Sequence, residues 1–354
     1  MTLRVGLIGC GFIGRFHSTS IRSIAARGLL DIQYTVVCDE DEKRAQSFAG
    51  VTGARATSEP LEVVASPDVD VVYVCVPTAG HKELVLRAAA NGKAVFCEKP
   101  LAANLADVEE MVRAVEDAGV AAGVGLVLRH SPVFTVLKDL IDDASLGRMM
   151  AIVLRDDQYF PIAGHYASDW RKDASIAGAG TLLEHSIHDI DLLRWLGGDI
   201  ESVSGATRNF AGYEGVEDLA FARLEFTSGA QASLASVWHS VLGRPSTRRL
   251  EVFMEKGVFW TDHDYMGPIH YQTHAQNAVT VTEEEVQDRY LKMTGLDGEN
   301  LGAMMRYSFE DYLFLQAVIE GRRPYPDFGV ALEAHRVVDA VYRSALTGGQ
   351  PLAL

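Results

Sequence analysis

The chain has 354 residues, 48% hydrophobic and 23% charged, which is ample material for two cored domains and not the composition of a disordered or fibrous chain. A formal net charge of −16 argues against nucleic acid and anionic membrane surfaces as partners. No apolar run approaches the roughly 20 residues of a spanning helix.

The N-terminus, Met1-Thr2-Leu3-Arg4-Val5-Gly6, lacks the basic region and long apolar stretch of a secretion signal. The four cysteines, Cys10, Cys38, Cys75 and Cys97, form no CxxC pair and sit at predicted strand ends like small apolar residues. A cytoplasmic location is therefore expected.

Strands are predicted at Leu3–Ile8, Gln33–Cys38, Val69–Val76, Ala94–Cys97 and Val120–Leu126. They are uniformly apolar, as parallel strands covered on both faces are. Helices are predicted between them at Ile13–Ala26, Asp41–Ala49, Gly80–Asn91 and Leu105–Ala118. This order gives a doubly wound parallel sheet over residues 1–126. Past Arg129 the rhythm changes. Arg148–Asp156, Glu201–Asn209, Ala220–Phe226, Gln231–Trp238, Arg249–Glu255 and Val258–Thr261 read as strands. Thr227-Ser228-Gly229-Ala230 and Glu255-Lys256-Gly257 are credible hairpin turns. Two helices, Ala303–Glu320 and Val330–Leu346, close the chain. The second domain, 127–354, is thus an α/β domain with a large, mostly antiparallel sheet open on one face. The last helix, 330–346, is left free to pack back on the first domain.

Gly9-Cys10-Gly11-Phe12-Ile13-Gly14 is a GxGxxG motif between the first strand and the first helix. Its glycines permit a tight turn, close approach of backbone to a pyrophosphate and close packing of helix on strand. The helix N-terminus then offers free N–H groups to phosphate. Asp39 follows the second strand, where a carboxylate accepts hydrogen bonds from ribose hydroxyls and repels a 2′-phosphate. The order strand, motif, helix, strand, acid makes residues 1–126 a Rossmann domain and favours NAD over NADP. Asp39 also reads as the N-cap of the Asp41–Ala49 helix.

Two further segments follow later strands on the ligand-binding edge of such sheets: Val76-Pro77-Thr78-Ala79-Gly80-His81 and Glu98-Lys99-Pro100. With Gly178-Ala179-Gly180-Thr181-Leu182-Leu183-Glu184 running on to His188-Asp189-Ile190-Asp191, they complete a set that resembles the glucose–fructose oxidoreductase and inositol dehydrogenase (Gfo/Idh/MocA) family along essentially the whole chain. The resemblance implies that Lys99 lies beside nicotinamide and substrate hydroxyl and that His188 is the proton-transfer residue. It also brings Pro77, Thr78, His81 and Glu98 into the cofactor site and implies oligomer contacts through the open sheet, as a homodimer or homotetramer. Read without the family, Glu184, His188 and Asp191 fall at i, i+4 and i+7 and share one helix face. That face is either a His set between two carboxylates or a solvated polar surface. The family commonly has Asp where this chain has Glu184, an extra methylene worth about 1.5 Å of reach. His185 lies about 100° round the helix, as a structural residue or substrate neighbour. Arg129 matches a position near substrate in some members of the family, and Trp170-Arg171 resembles the family's Trp-Arg segment. That segment reads either as a ring covering the nicotinamide or a sugar face or as a hydrophobic anchor with a surface arginine.

The function expected is an NAD-dependent dehydrogenase or reductase moving a hydride to or from a hydroxyl carbon of a sugar, glycoside or inositol. Two other readings stand beside it: a catalytically silent dinucleotide-binding sensor, and an NAD-dependent glycosidase. Retention of both Lys99 and His188 favours the enzyme. A metal site is not expected, because only three of the acids and histidines near Glu184 share a face and no HExxH occurs.

Overall fold

The computed structural model describes residues 2–164, 166–296 and 309–354. The chain forms two compact units, Met1–Leu126 with Gly298–Leu332, and Val127–Asp297 with Glu333–Leu354.

In the first unit, β1 (Leu3–Ile8), β2 (Ile32–Cys38), β3 (Arg55–Thr57), β4 (Val71–Val74), β5 (Ala94–Cys97) and β6 (Ala122–Val124) form one sheet. It is parallel throughout, in the order β3-β2-β1-β4-β5-β6. Helices α1 (Phe12–Ala26), α2 (Glu42–Thr52), α3 (Pro60–Ala65), α4 (His81–Ala90) and α5 (Leu105–Ala118) make the crossovers. β4 and β5 are buried at every residue, which is why their sequences carry no alternation. The strand order reverses between β1 and β4, the switch point where open sheets of this kind bind ligands.

Residues from Phe309 to Leu332 belong to this first unit, although the change of rhythm assigned everything past 126 to the second. Phe314, on the helix Glu310–Ile319, packs edge-on against Phe96 and Tyr73. A Cβ at Gly123 would stand 2.6 Å from the Phe314 ring, so that glycine gives the helix its seat. Phe328 and Ala331, opening the helix Phe328–Leu346, lie in a core with Val72, Val95 and Val112. Residues 303–308 of the predicted helix Ala303–Glu320 lie outside the described residues.

In the second unit, β7 (Met149–Tyr159), β8 (Ile200–Arg208), β9 (Leu219–Phe226), β10 (Gln231–His239) and β11 (Thr247–Met254) lead into β12 (Gly257–Thr261), β13 (Ile269–Thr273), β14 (Gln276–Val281) and β15 (Leu352–Ala353). The sheet order is β14-β13-β12-β11-β7-β10-β9-β8-β15. Every pairing in it is antiparallel except β7 with β10. Burial alternates along β9 and β10, and Val153 and Phe221 project from the open face at 40% and 52% exposure. Helices α6 (Pro132–Ile141), α7 (Ala174–Ala177), α8 (Thr181–Glu184), α9 (Ile187–Gly197) and α10 (Glu283–Thr294) complete the unit with the C-terminal part of Phe328–Leu346.

The stretch from Glu184 to Asp191 is not one helix. α8 ends at Glu184 and α9 starts at Ile187. Ser236 explains the break: its hydroxyl lies 2.7 Å from Thr181 Oγ1 and 2.6 Å from Ser186 Oγ, a buried cluster that holds the turn against helical continuation.

Candidate active site

The glycine-rich turn is shaped by close backbone approach. Gly9 has φ +99°, and a Cβ there would stand 2.4 Å from the Cys75 carbonyl oxygen. A Cβ on Gly14 would stand 1.9 Å from the Gly9 carbonyl oxygen, so the first turn of α1 lies directly on the loop. Gly11 differs: its missing side chain leaves open space, and as N-cap it offers α1 no side-chain acceptor. The N-terminus of α1 at Gly11 therefore opens on space a Cβ would take up, which suits the close approach of a pyrophosphate. Phe12 is exposed and Ile13 half-buried beside it.

Asp39, buried at the end of β2, accepts the N–H of Cys10 (2.8 Å) and of Asp41 (2.9 Å). Those two bonds orient the carboxylate against the glycine turn and leave it lone pairs for a ribose. Asp39 is not the helix cap. Asp41 fills that position with extended backbone, taking the N–H of Lys43 (3.0 Å) and Arg44 (3.3 Å), so α2 starts at Glu42. The Arg44 guanidinium also reaches to 3.4 Å from Asp39, a cation nearer the ribose position than sequence spacing indicated.

Past β4, Pro77 precedes a 3₁₀ turn over Thr78–Gly80 with Thr78 buried. The His81 ring is buried and lies 2.9 Å from the Pro100 carbonyl and 2.8 Å from that of Val76. It staples this turn to the segment after β5. Glu98 is likewise buried, with Oε2 accepting the Lys99 N–H at 3.1 Å. Lys99 itself, followed by a cis peptide to Pro100, is half-buried at the carboxyl end of β5.

In the second unit, Arg171 Nε donates to Glu184 Oε2 at 3.2 Å while its guanidinium lies 4.4 Å from the Trp170 ring. The structure thus brings together Trp170, Arg171 and Glu184. Asp191 is taken by Arg129, which donates through Nε (2.8 Å) and Nη2 (2.7 Å) and stacks over Trp195. Each carboxylate of the expected i, i+4, i+7 face thus holds an arginine. With a side chain only 7% exposed, Arg129 acts here as a clamp between the segment before α6 and α9. His188 stands near the N-terminus of α9, 9% exposed.

His185 Nε2 lies 2.7 Å from Asp156 Oδ2, inside a cluster that the sequence did not reveal. At its centre Arg248, on β11, donates to Asp189 (2.7 Å), Asp156 (3.1 Å) and Asp264 (2.9 Å). Burial and then the neighbouring Asp156, against the pull of Arg248, hold the Asp189 carboxyl up at about 7. Glu217 was missed as well. It accepts the N–H of Gly180 (2.8 Å) and Leu182 (2.9 Å) and the Tyr342 hydroxyl (2.8 Å), capping α8 from a distant loop. These partners lie tens of residues apart, and no local pattern marks them.

All four cysteines are free and buried, and burial pushes the Cys10 and Cys38 thiols up to about 12, far from reactive thiolates. Among the described residues, no group of three or more His, Cys, Asp or Glu is placed to hold a metal ion. No helix among them is long and apolar enough to cross a membrane.

A glycine-walled helix end beside an oriented carboxylate, at the switch point of a parallel sheet, defines a dinucleotide-binding unit. Residues 3–126 match the oxidoreductase family with NAD-binding Rossmann fold, and residues 134–260 match the GFO/IDH/MocA C-terminal domain. The chain belongs to the Gfo/Idh/MocA oxidoreductase family, and its first unit is an NAD-binding Rossmann domain. It is similar to myo-inositol 2-dehydrogenase of Thermotoga maritima, at 32% identity over 74% of this chain and 75% of that protein. It is similar also to inositol 2-dehydrogenase of Rhizobium meliloti, at 28% identity over 97% of each. The solved structure of levoglucosan dehydrogenase in complex with NADH and levoglucosan has a TM-score of 0.87 at 23% identity, covering 100% of this chain and 99% of that one, a likeness of fold.

Proposed function

We propose that the protein is an NAD-dependent dehydrogenase acting on a secondary hydroxyl of a sugar, glycoside or inositol, or on the matching ketone in reverse. The observation that carries this reading is Lys99, fixed at the carboxyl end of β5 in the same unit as the Gly9–Gly14 turn and Asp39. The kinship with inositol dehydrogenases supports the substrate class. Bound NAD supplies the hydride acceptor. The Lys99 ammonium stabilises the alkoxide as it develops, and His188 receives the hydroxyl proton. Trp170 offers a flat apolar ring to the C–H face of a sugar, and Arg171 holds Glu184 beside it. Asp39 favours the 2′-hydroxyl of NAD over a 2′-phosphate. The open face of the nine-stranded sheet, with Val153 and Phe221 exposed, is proposed to pair with a second copy, and light scattering of the purified protein tests this. The buried free thiols accord with a cytoplasmic setting.

The test is to incubate the protein with NAD and, in parallel, NADP against inositols, aldoses, sugar acids and glycosides, following nicotinamide reduction. Reduction of NAD by one substrate group is the expected result. Preference for NADP overturns the reading of Asp39 alone. Silence in a protein that still binds NADH overturns the dehydrogenase; hydrolysis of an aryl glycoside without net NADH then marks a glycosidase.

A further inference from the structure

His17 sits on the inward face of α1 with 0% exposure, and both ring nitrogens meet carboxylates. Nδ1 lies 2.8 Å from Asp311 Oδ1 and Nε2 lies 2.8 Å from Glu98 Oε1. Phe96, Tyr73 and Phe16 wall the ring at centroid distances of 5.0, 5.6 and 5.9 Å. Two acceptors on two nitrogens require a proton on each, so the ring is an imidazolium. Burial opposes that charge, but Asp311 and Glu98 outweigh it and hold the imidazole pKa well above its ordinary value. The remaining titratable groups around it do not compete. Burial pushes Glu310, beside Asp311, well above the carboxylate range and raises the phenols of Tyr34 and Tyr73. Glu98 is also buried, yet His17 first and then Lys99 draw its pKa below the usual range.

The far side of the Glu98 carboxylate is what gives the triad a consequence. Its Oε2 accepts the Lys99 N–H at 3.1 Å, and a Cβ on Gly125 would stand 2.7 Å from Oε1. The carboxylate is thus fixed by His17, by the Lys99 backbone and by the room a glycine leaves. We infer that His17 is a positioning residue: anchored by Asp311, it fixes Glu98, which sets the Lys99 backbone and so where the Lys99 ammonium stands. A lysine on four rotatable bonds is aimed first by its backbone, so a rigid anchor one residue back is an effective means of control. The inference rests on the role proposed above for Lys99.

The test uses the full chain with NADH bound and the variants His17→Gln, Asp311→Asn and Gly125→Ala. Glutamine cannot donate to both acids, and alanine presses on Glu98 without touching His17. Lysines carrying ¹³C-methyl groups are titrated by NMR, the Lys99 resonance being the one missing from Lys99→Arg. In each variant that midpoint should move by about half a pH unit or more, since the ammonium changes neighbours. Turnover in unmethylated protein should fall about 10- to 100-fold with KM for NAD within about 3-fold, as for lost outer-shell support. An unmoved Lys99 titration with turnover within about 2-fold of wild type, in folded His17→Gln, overturns the inference. If that variant does not fold, the same result in Gly125→Ala overturns it. Should Lys99→Ala retain full turnover, the catalytic reading of Lys99 fails; the titration alone then decides whether His17 positions it.

Discussion

Each unit of the molecule buries a cation among acids, and the two do it differently. In the Rossmann unit the cation is the His17 imidazolium, serving Glu98 and Asp311. In the sheet unit it is Arg248, whose fork serves Asp156, Asp189 and Asp264. A guanidinium keeps its charge at any working pH and has five donors; an imidazole has two and only while protonated. With three acids around one arginine, burial raises the carboxyls of both Asp156 and Asp189, the latter to about 7. In the Rossmann unit the proton sits on the base. Both devices lie next to residues proposed for chemistry, Lys99 in one unit and the His185–His188 segment in the other.

The comparison breaks first if the two units do not each supply a reacting group. Lys99→Ala and His188→Ala should each lower turnover about 1,000-fold, the range of a lost acid–base or charge-stabilising group. NADH affinity by fluorescence titration should stay within about 3-fold. Normal turnover in either variant removes that residue from the mechanism. Next in size is Arg248→Met, which strips three carboxylates of their cation. Thermal unfolding should show a loss of about 3–5 kcal/mol, and a loss under about 1 kcal/mol would mean that the acids find other partners.

The placement of the protons is tested by pH. Asp189, held up at about 7, binds a proton on folding. The stability gained is full below its unfolded, ordinary carboxylate value and is lost as pH rises through about 7. Melting temperature should therefore fall between about pH 5 and 8, and Asp189→Asn should flatten that slope. A slope unchanged from wild type would place that proton elsewhere. The smallest effect separates neighbours: Asp41→Ala should cost about 1 kcal/mol as a lost helix cap, with NADH affinity unchanged. If affinity fell instead, the division of roles between Asp41 and Asp39 would be wrong.

Much of the first unit was legible because its signals are local. β1, β5 and α5 match their predicted bounds, and the glycine turn and Asp39 lie within one crossover. β3 and α3 escaped notice because runs as short as Arg55–Thr57 show no period. The main strands and hairpin turns of the second unit were readable from alternation. β13, β14 and α10 were not, since polar strands at one end of the sheet and a mostly exposed helix carry weak patterns. The break between α8 and α9 depends on Ser236, and the partners of Glu184, Asp191 and His185 come from Arg171, Arg129 and Asp156. His17 left one trace, a polar residue on the apolar face of α1. Its partners, Glu98 and Asp311, are 81 and 294 residues away.

The central claim is hydride transfer from a hydroxyl-bearing carbon to NAD. A carbon-deuterated inositol or sugar, taken from the group that reduces NAD, should be incubated with the protein and the nicotinamide analysed by mass spectrometry. One deuterium carried into NADH per substrate oxidised is the predicted result. Unlabelled NADH, or tight NADH binding with no reduction across deuterated inositols and sugars, would contradict it.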